Sequence, residues 1–118
     1  ARVILGSSTW GDGQPEDSWL DFLDGAESLD LRGRTIALFG CGDETMGDTF
    51  CNAVGILYDR LKATGATFIG EYPGDVYTFS HSKASDGSVM RGLVLDEVNH
   101  PEYSEARIRD WAELVRTA

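Results

Sequence analysis

Short apolar runs that end in glycine or a small polar residue recur along the chain and predict buried parallel strands. Residues 2–6 (RVILG) and 34–40 (RTIALFG) share this order, and residues 66–69 and 92–95 form two further apolar runs. Because the apolar residues follow one another without alternation, both faces of each strand are expected to be covered. A short additional strand is predicted at residues 77–79, within the turn-rich segment between the last two runs.

Three amphipathic helices are predicted between and after these strands. The first spans about residues 15–25, the second spans about residues 49–64, and Ser104 is expected to cap the third. In each helix the apolar residues share one face at intervals of three and four: Trp19, Phe22 and Leu23 in the first, Phe50, Val54, Leu57 and Leu61 in the second, and Ile108, Trp111, Leu114 and Val115 in the third.

The alternation of strands and helices predicts the fold class. It is the order of a doubly wound α/β sheet, an α/β/α sandwich in which ligands bind beyond the carboxyl ends of the strands. The loops at those ends are residues 7–14, residues 41–48 and the stretch around Asp96, all rich in Gly, Ser, Thr and Asp. Such loops offer backbone amides and hydroxyls to a polar ligand.

The length and charge of the chain limit the number of domains and the classes of binding partner. The chain has 118 residues, which is the size of one small domain, and 20 acidic against 10 basic residues give it a formal net charge of -10. This charge disfavours binding to nucleic acid or to an anionic membrane and favours a basic protein partner. No apolar run reaches the roughly 18 residues of a membrane span, so a cytoplasmic location is expected.

Two short motifs suggest chemistry that their neighbouring residues do not support. Residues 6–10 are similar to a nucleophile elbow, but Trp10 stands where that motif needs glycine, so no serine hydrolase is predicted. Residues 40–43 suggest a dinucleotide fingerprint, but its third glycine is replaced by Thr45. The two cysteines and two histidines lack metal-ligand spacing, and neither a metal site nor a catalytic residue is predicted.

Four segments in order resemble the flavodoxin family. They are residues 8–13 (STWGDG), 39–43 (FGCGD), 50–51 (FC) and 92–97 (GLVLDE). Residues 72–91 are similar to the extra segment that interrupts the last strand of the long-chain flavodoxins. The resemblance covers nearly the whole chain and implies a flavodoxin-like fold for residues 1–118 as a single domain.

The resemblance also implies a cofactor and a role. Flavodoxins carry single electrons at low potential between redox proteins through FMN, which is not covalently bound. Trp10 would cover one face of the flavin ring, Gly42 and Asp43 would contact its pyrimidine edge, and Asp96 would bind a ribityl hydroxyl. The full set of cofactor-binding residues implied in this way is Ser8, Thr9, Trp10, Gly11, Asp12, Cys41, Gly42, Asp43, Met46, Asp48, Phe50, Cys51 and Asp96.

The sequence departs from the family in two respects. Met46 stands where a tyrosine commonly covers the second flavin face, which implies a different one-electron reduction potential. The family's first strand, its phosphate loop and its second strand have no counterpart, so we expect the carboxyl-terminal portion of a longer flavodoxin that binds FMN poorly by itself. Two alternatives stay open: a flavodoxin-like module of a multidomain reductase, and a flavin-free interaction domain.

Overall fold

The computed structural model describes residues 2–10, 13–15 and 17–118. For Trp10 it describes only the backbone. Within these ranges, no helix is both long enough and apolar enough to cross a membrane. The elements in chain order are β1 (Arg2–Trp10), β2 (Gln14–Pro15), α1 (Asp17–Ala26), β3 (Thr35–Cys41), α2 (Asn52–Leu61), β4 (Thr67–Ile69), β5 (Leu93–Leu95) and α3 (Pro101–Thr117), with a 3₁₀ turn at Lys62–Thr64 after α2.

The central strand β3 organises a mostly parallel sheet. It pairs with β1 along its whole length, from Arg2 opposite Thr35 to Ser8 opposite Cys41. Its other edge is shared, because β4 pairs with the first half of β3 and β5 pairs with the second half, both in parallel. The last strand is therefore split by the residues between β4 and β5, here called the inserted segment (residues 70–92). This arrangement confirms the predicted fold class and the interrupted strand.

Side chains of β3 point alternately into two separate apolar clusters. Ile36 and Leu38 belong to the larger cluster, which includes buried residues of α1 and α2. Ala37 belongs to the smaller one, where Trp111 and Val115 of α3 cover the opposite face. Since successive residues of a strand face opposite sides, a continuous apolar run produces this three-layer packing.

Several element boundaries differ from the sequence prediction. Residues 77–79 form no strand, because the Tyr77 N–H donates to the Gly74 carbonyl within a turn at 3.2 Å and the Thr78 N–H donates to the Glu44 carboxylate, so neither N–H pairs with a strand. Helix α1 begins at Asp17, two residues later than predicted, because Pro15 belongs to β2, where it pairs with Thr9 of β1. Helix α3 begins at its proline, and Ser104, predicted as its cap, is a buried residue inside the helix.

Candidate functional site

A pocket of about 340 Å³ opens at the carboxyl ends of β1 and β3. This volume lies at the lower end of the range for small-molecule sites, and the position is where doubly wound sheets bind ligands. The residues that line the pocket are Ser8, Thr9, Cys41, Gly42, Asp43, Met46, Thr49 and Val98.

One side of the pocket is the strand wall, formed by Ser8 and Thr9 at the end of β1. Ser8 lies opposite Cys41 in the parallel ladder. The Thr9 Oγ1 atom accepts a hydrogen bond of 3.1 Å from the backbone N–H of Ala53. That N–H lies in the first turn of α2. The N-cap residue of this helix, Cys51, makes no side-chain hydrogen bond that caps the helix. Thr9 therefore caps α2 from a neighbouring strand.

The other side is the pocket loop (residues 42–50), which the turn after β5 supports from below. The fully buried carboxylate of Asp96 accepts hydrogen bonds from the backbone N–H of Glu44 at 2.9 Å, of Val98 at 3.0 Å and of Asn99 at 2.9 Å. The Asn99 side-chain amide donates to Asp96 at 2.8 Å and to Asp43 at 2.7 Å. The loops that carry Asp43 and Asp96 are thus joined directly.

These donors determine the charge of Asp96. Burial alone would raise the pKa of its carboxyl, but the hydrogen bonds from Asn99, Glu44 and Val98 outweigh burial and lower that pKa below its usual value of 3.8. The pKa of Asp43 is also lowered, by hydrogen bonds from Thr45 and then from Asn99. Both carboxylates are therefore ionised at neutral pH.

The inserted segment also donates hydrogen bonds to the pocket loop. The Gly47 carbonyl accepts from the backbone N–H of Ser80 at 2.8 Å and of His81 at 2.9 Å. The Glu44 carboxylate accepts from the backbone N–H of Thr78. Because these partners are 33 to 34 residues away in sequence, the loop conformation depends on the whole fold.

The chemical character of the lining is mixed. Hydroxyls and backbone groups form the part near the strand ends, whereas Met46 and Val98 contribute apolar surface that is 52% and 72% exposed. Large apolar side chains exposed next to a pocket are typical of a site that a ligand covers. The arrangement suits a flat ligand with an apolar ring and a polar edge.

Comparison with known proteins decides the family. The family model described as Flavodoxin matches residues 1–111. The chain belongs to the flavodoxin family.

Individual flavodoxins match almost all of this chain. A flavodoxin of Klebsiella pneumoniae is 39% identical over 123 residues, which cover 97% of this chain and 70% of that protein. Flavodoxin 1 of Azotobacter vinelandii is 38% identical, with 98% and 68% covered. The crystal structure of Fusobacterium nucleatum flavodoxin bound to flavin mononucleotide has a TM-score of 0.93 at 28% identity, covering 98% of this chain and 70% of that one.

The structure of this flavodoxin-family chain brings together six of the predicted cofactor-binding residues. These six line the pocket: Ser8, Thr9, Cys41, Gly42, Asp43 and Met46. Asp48 lies on the pocket loop, exposed and outside the lining. The Trp10 side chain, Gly11 and Asp12 lie outside the described residues, so their predicted contacts with the flavin stay predictions.

The remaining three predicted residues lie beneath the pocket and not in its lining. Phe50 and Cys51 are buried in the larger apolar cluster, and Asp96 is buried beneath the pocket loop. Both carboxylate oxygens of Asp96 already accept from N–H donors, so the structure gives Asp96 a supporting role. Asp96 is not among the residues that line the pocket, and its predicted contact with a ribityl hydroxyl stays a prediction.

Two lining residues, Thr49 and Val98, are absent from the sequence prediction. Val98 carries a signal that could have identified it, because it is an apolar residue within the polar stretch 96–100 that follows a strand end. Thr49 carries no such signal. The sequence predicts Thr49 as the first residue of the second helix, but α2 begins three residues later.

Neither cysteine has the environment of a nucleophile. Burial raises the pKa of the Cys51 thiol, whose Sγ lies 3.7 Å from the Leu95 carbonyl oxygen. Burial also raises the pKa of Cys41, and the charges of Glu97 and Asp96 add to this effect. Both thiols therefore stay protonated at neutral pH.

Among the described residues, no group of three or more His, Cys, Asp or Glu side chains could hold a metal ion.

Proposed function

We propose that the pocket binds the flavin ring of FMN and that the chain acts as a low-potential one-electron carrier. The observation that carries the proposal is the pair of exposed apolar side chains, Met46 and Val98, in the lining of a pocket that has the hydroxyl residues Ser8 and Thr9 at its strand end. A flavin ring has two apolar faces and a polar pyrimidine edge, which matches this division. The Fusobacterium nucleatum flavodoxin, of nearly the same fold over this chain, is bound to flavin mononucleotide.

The lining offers specific groups to such a ring. Thr9 Oγ1 accepts from Ala53, so its own O–H remains able to donate to a ligand atom. A Cβ atom on Gly42 would lie 2.7 Å from the Cys51 nitrogen, so glycine allows the backbone to pack closely against Cys51 at this edge of the pocket. The backbone of Gly42 and Asp43 can then face the pyrimidine edge, and the Met46 thioether can pack on a ring face.

Charge around the pocket favours a low reduction potential. FMN supplies the one-electron chemistry when bound, and nearby carboxylates oppose the added negative charge. At about 10 Å and an effective dielectric constant of about 40, each carboxylate costs roughly 0.8 kcal/mol, or about 35 mV for one electron. Asp43, Asp48 and Glu97 lie on the loops around the pocket, and the first two belong to the pocket loop itself.

The same acidic surface suggests the kind of partner. A formal net charge of -10 would speed encounter with a basic redox protein and make the encounter sensitive to salt. With FMN bound and reduced, electron transfer to a basic c-type cytochrome is expected to slow as ionic strength rises. A rate that does not depend on salt would contradict this proposal for the partner.

Flavin titration tests the pocket directly. FMN and lumiflavin, which is the flavin ring without ribityl or phosphate, should both lose fluorescence on binding. Val98→Ser should weaken both, whereas Val76→Ser, which alters an exposed valine of the inserted segment, should weaken neither. Unquenched fluorescence of lumiflavin, which needs no phosphate loop, or equal effects of the two valine variants, would contradict the proposal and favour the flavin-free interaction domain.

A further inference from the structure

His100, just before α3, contacts two carboxylates with its two ring nitrogens. Its Nε2 contacts Glu44 of the pocket loop, and its Nδ1 lies 3.2 Å from Glu102 of α3. The His100 side chain is 27% exposed and the Glu44 side chain is 13% exposed. The contact with Glu44 is thus largely shielded from water.

Glu44 connects three parts of the molecule. Its backbone N–H donates to Asp96 below the loop, and its carboxylate accepts from Thr78 of the inserted segment as well as contacting His100. The preceding residue, Asp43, lines the pocket. A change in the position of Glu44 would therefore move one side of the pocket.

The arrangement around His100 requires a proton. A neutral imidazole has one N–H and one lone pair, so it can donate to only one of the two carboxylates, and its lone pair then faces an oxygen of the other. An imidazolium ion donates to both. Loss of the proton therefore removes one of the two hydrogen bonds, and the loss of positive charge weakens the attraction to both Glu44 and Glu102.

We propose that the proton on His100 fixes Glu44 and the adjoining side of the pocket, so that flavin affinity falls when His100 is deprotonated. The effect on affinity rests on the proposed flavin-binding function. His100 is a positioning residue here, since it acts through Glu44.

The groups that face His100 from each neighbouring element agree with this assignment. They are Glu44 from the pocket loop, Glu102 and the stacked ring of Tyr103 from α3, the ring of Tyr77 from the inserted segment, and the backbone carbonyl of Asp96 from the turn after β5. The cationic Arg107 lies against the Tyr77 ring, at 4.9 Å from its centroid.

The pKa of His100 changes in the required direction. Burial lowers the pKa of its imidazole, but the hydrogen bonds and charges of Glu102 and Glu44 outweigh burial and raise the pKa above its usual value of 6.5. The raised value means that the contribution of this contact is fully present below pH 6.5 and is lost as the pH rises through the folded-state pKa.

Riboflavin is a suitable probe because it carries no phosphate that titrates in the same range. Its dissociation constant for the full chain would be measured from about pH 5.5 to 8.5, with fluorescence as the readout. We expect it to rise at least about threefold, the scale of a partly shielded ion pair. In His100→Gln the rise should be absent, and in His81→Gln, which changes the exposed second histidine, it should match the unaltered protein.

Amide NMR of the flavin-free chain provides the independent readout. The backbone amides of Glu44 and Thr78 should shift with pH at the same midpoint as the His100 ring, and this titration should vanish in His100→Gln. Equal pH dependence of riboflavin binding with and without His100, or amides that ignore its titration, would overturn the proposal. Absence of riboflavin binding at every pH would overturn the proposed function, while the amides would still show whether His100 controls Glu44.

Discussion

The two sides of the pocket are built in different ways. The strand wall continues a parallel ladder of seven residue pairs between β1 and β3, so repeated backbone hydrogen bonds fix it. The pocket loop has no ladder, and particular groups from the inserted segment and from the turn after β5 fix it instead. A repeated structure tolerates the loss of one contact, whereas a structure that depends on a few buried polar groups does not.

The largest expected effect follows removal of the Asp96 carboxylate. Asp96→Ala leaves the partly buried N–H groups of Glu44, Val98 and Asn99 without their acceptor, and a loss of about 3 kcal/mol in the free energy of unfolding is expected. Urea denaturation measures it.

Two controls make the Asp96 experiment specific. Asp96→Asn keeps one acceptor oxygen and should lose less than Asp96→Ala. Asp59→Ala alters an exposed carboxylate and should stay within about 0.5 kcal/mol of the unaltered protein. Equal losses in the two alanine variants would show that the pocket loop does not depend on Asp96.

Acid should reproduce part of the loss. Because the pKa of Asp96 is lower in the folded protein, its contribution is present above the usual value of 3.8 and is lost as the pH falls through the folded-state pKa. The difference in unfolding free energy between the unaltered protein and Asp96→Ala should therefore shrink as the pH falls below 3.8. A difference that stays constant down to the acid transition would contradict this assignment.

Gly55→Ala tests the inserted segment without altering a pocket residue. A Cβ atom at this position would lie 2.1 Å from the Lys83 carbonyl oxygen, so the backbone of the inserted segment must move. We expect a loss of about 1 to 3 kcal/mol in unfolding free energy together with weaker flavin binding.

The matched control for Gly55 is Gly25→Ala in α1, where an added Cβ meets no atom within 4 Å. Alanine is the better helix former by up to about 1 kcal/mol, so this variant should be as stable as the unaltered protein or slightly more stable. Full flavin affinity in a folded Gly55→Ala protein would show that the inserted segment does not position the pocket loop.

The same division explains what the sequence could predict. The apolar runs of β1, β3 and β5 and the helical spacing in α2 are local patterns, and they predicted the sheet. The strand wall was not predicted, because residues 7–10, which the sequence places in a loop, extend β1 in the structure. The supporting role of Asp96 could not be predicted, because its partner Glu44 is 52 residues away and only the folded chain brings the two together. Residues 77–79 were mistaken for a strand because aromatic residues on either side of a threonine are typical of strands. In the structure Tyr77 instead packs against Phe50 from an irregular segment.

The smallest effect is expected at the strand wall. Thr9→Val keeps the shape of the side chain and removes the hydroxyl that accepts from Ala53, and this should cost about 1 kcal/mol, the usual value of a helix cap. Thr9→Ser keeps the hydroxyl and is the matched control, so it should restore most of the loss. If Thr9→Val instead costs as much as Asp96→Ala, the ladder between β1 and β3 does not secure its own wall, and both sides of the pocket depend equally on single polar contacts.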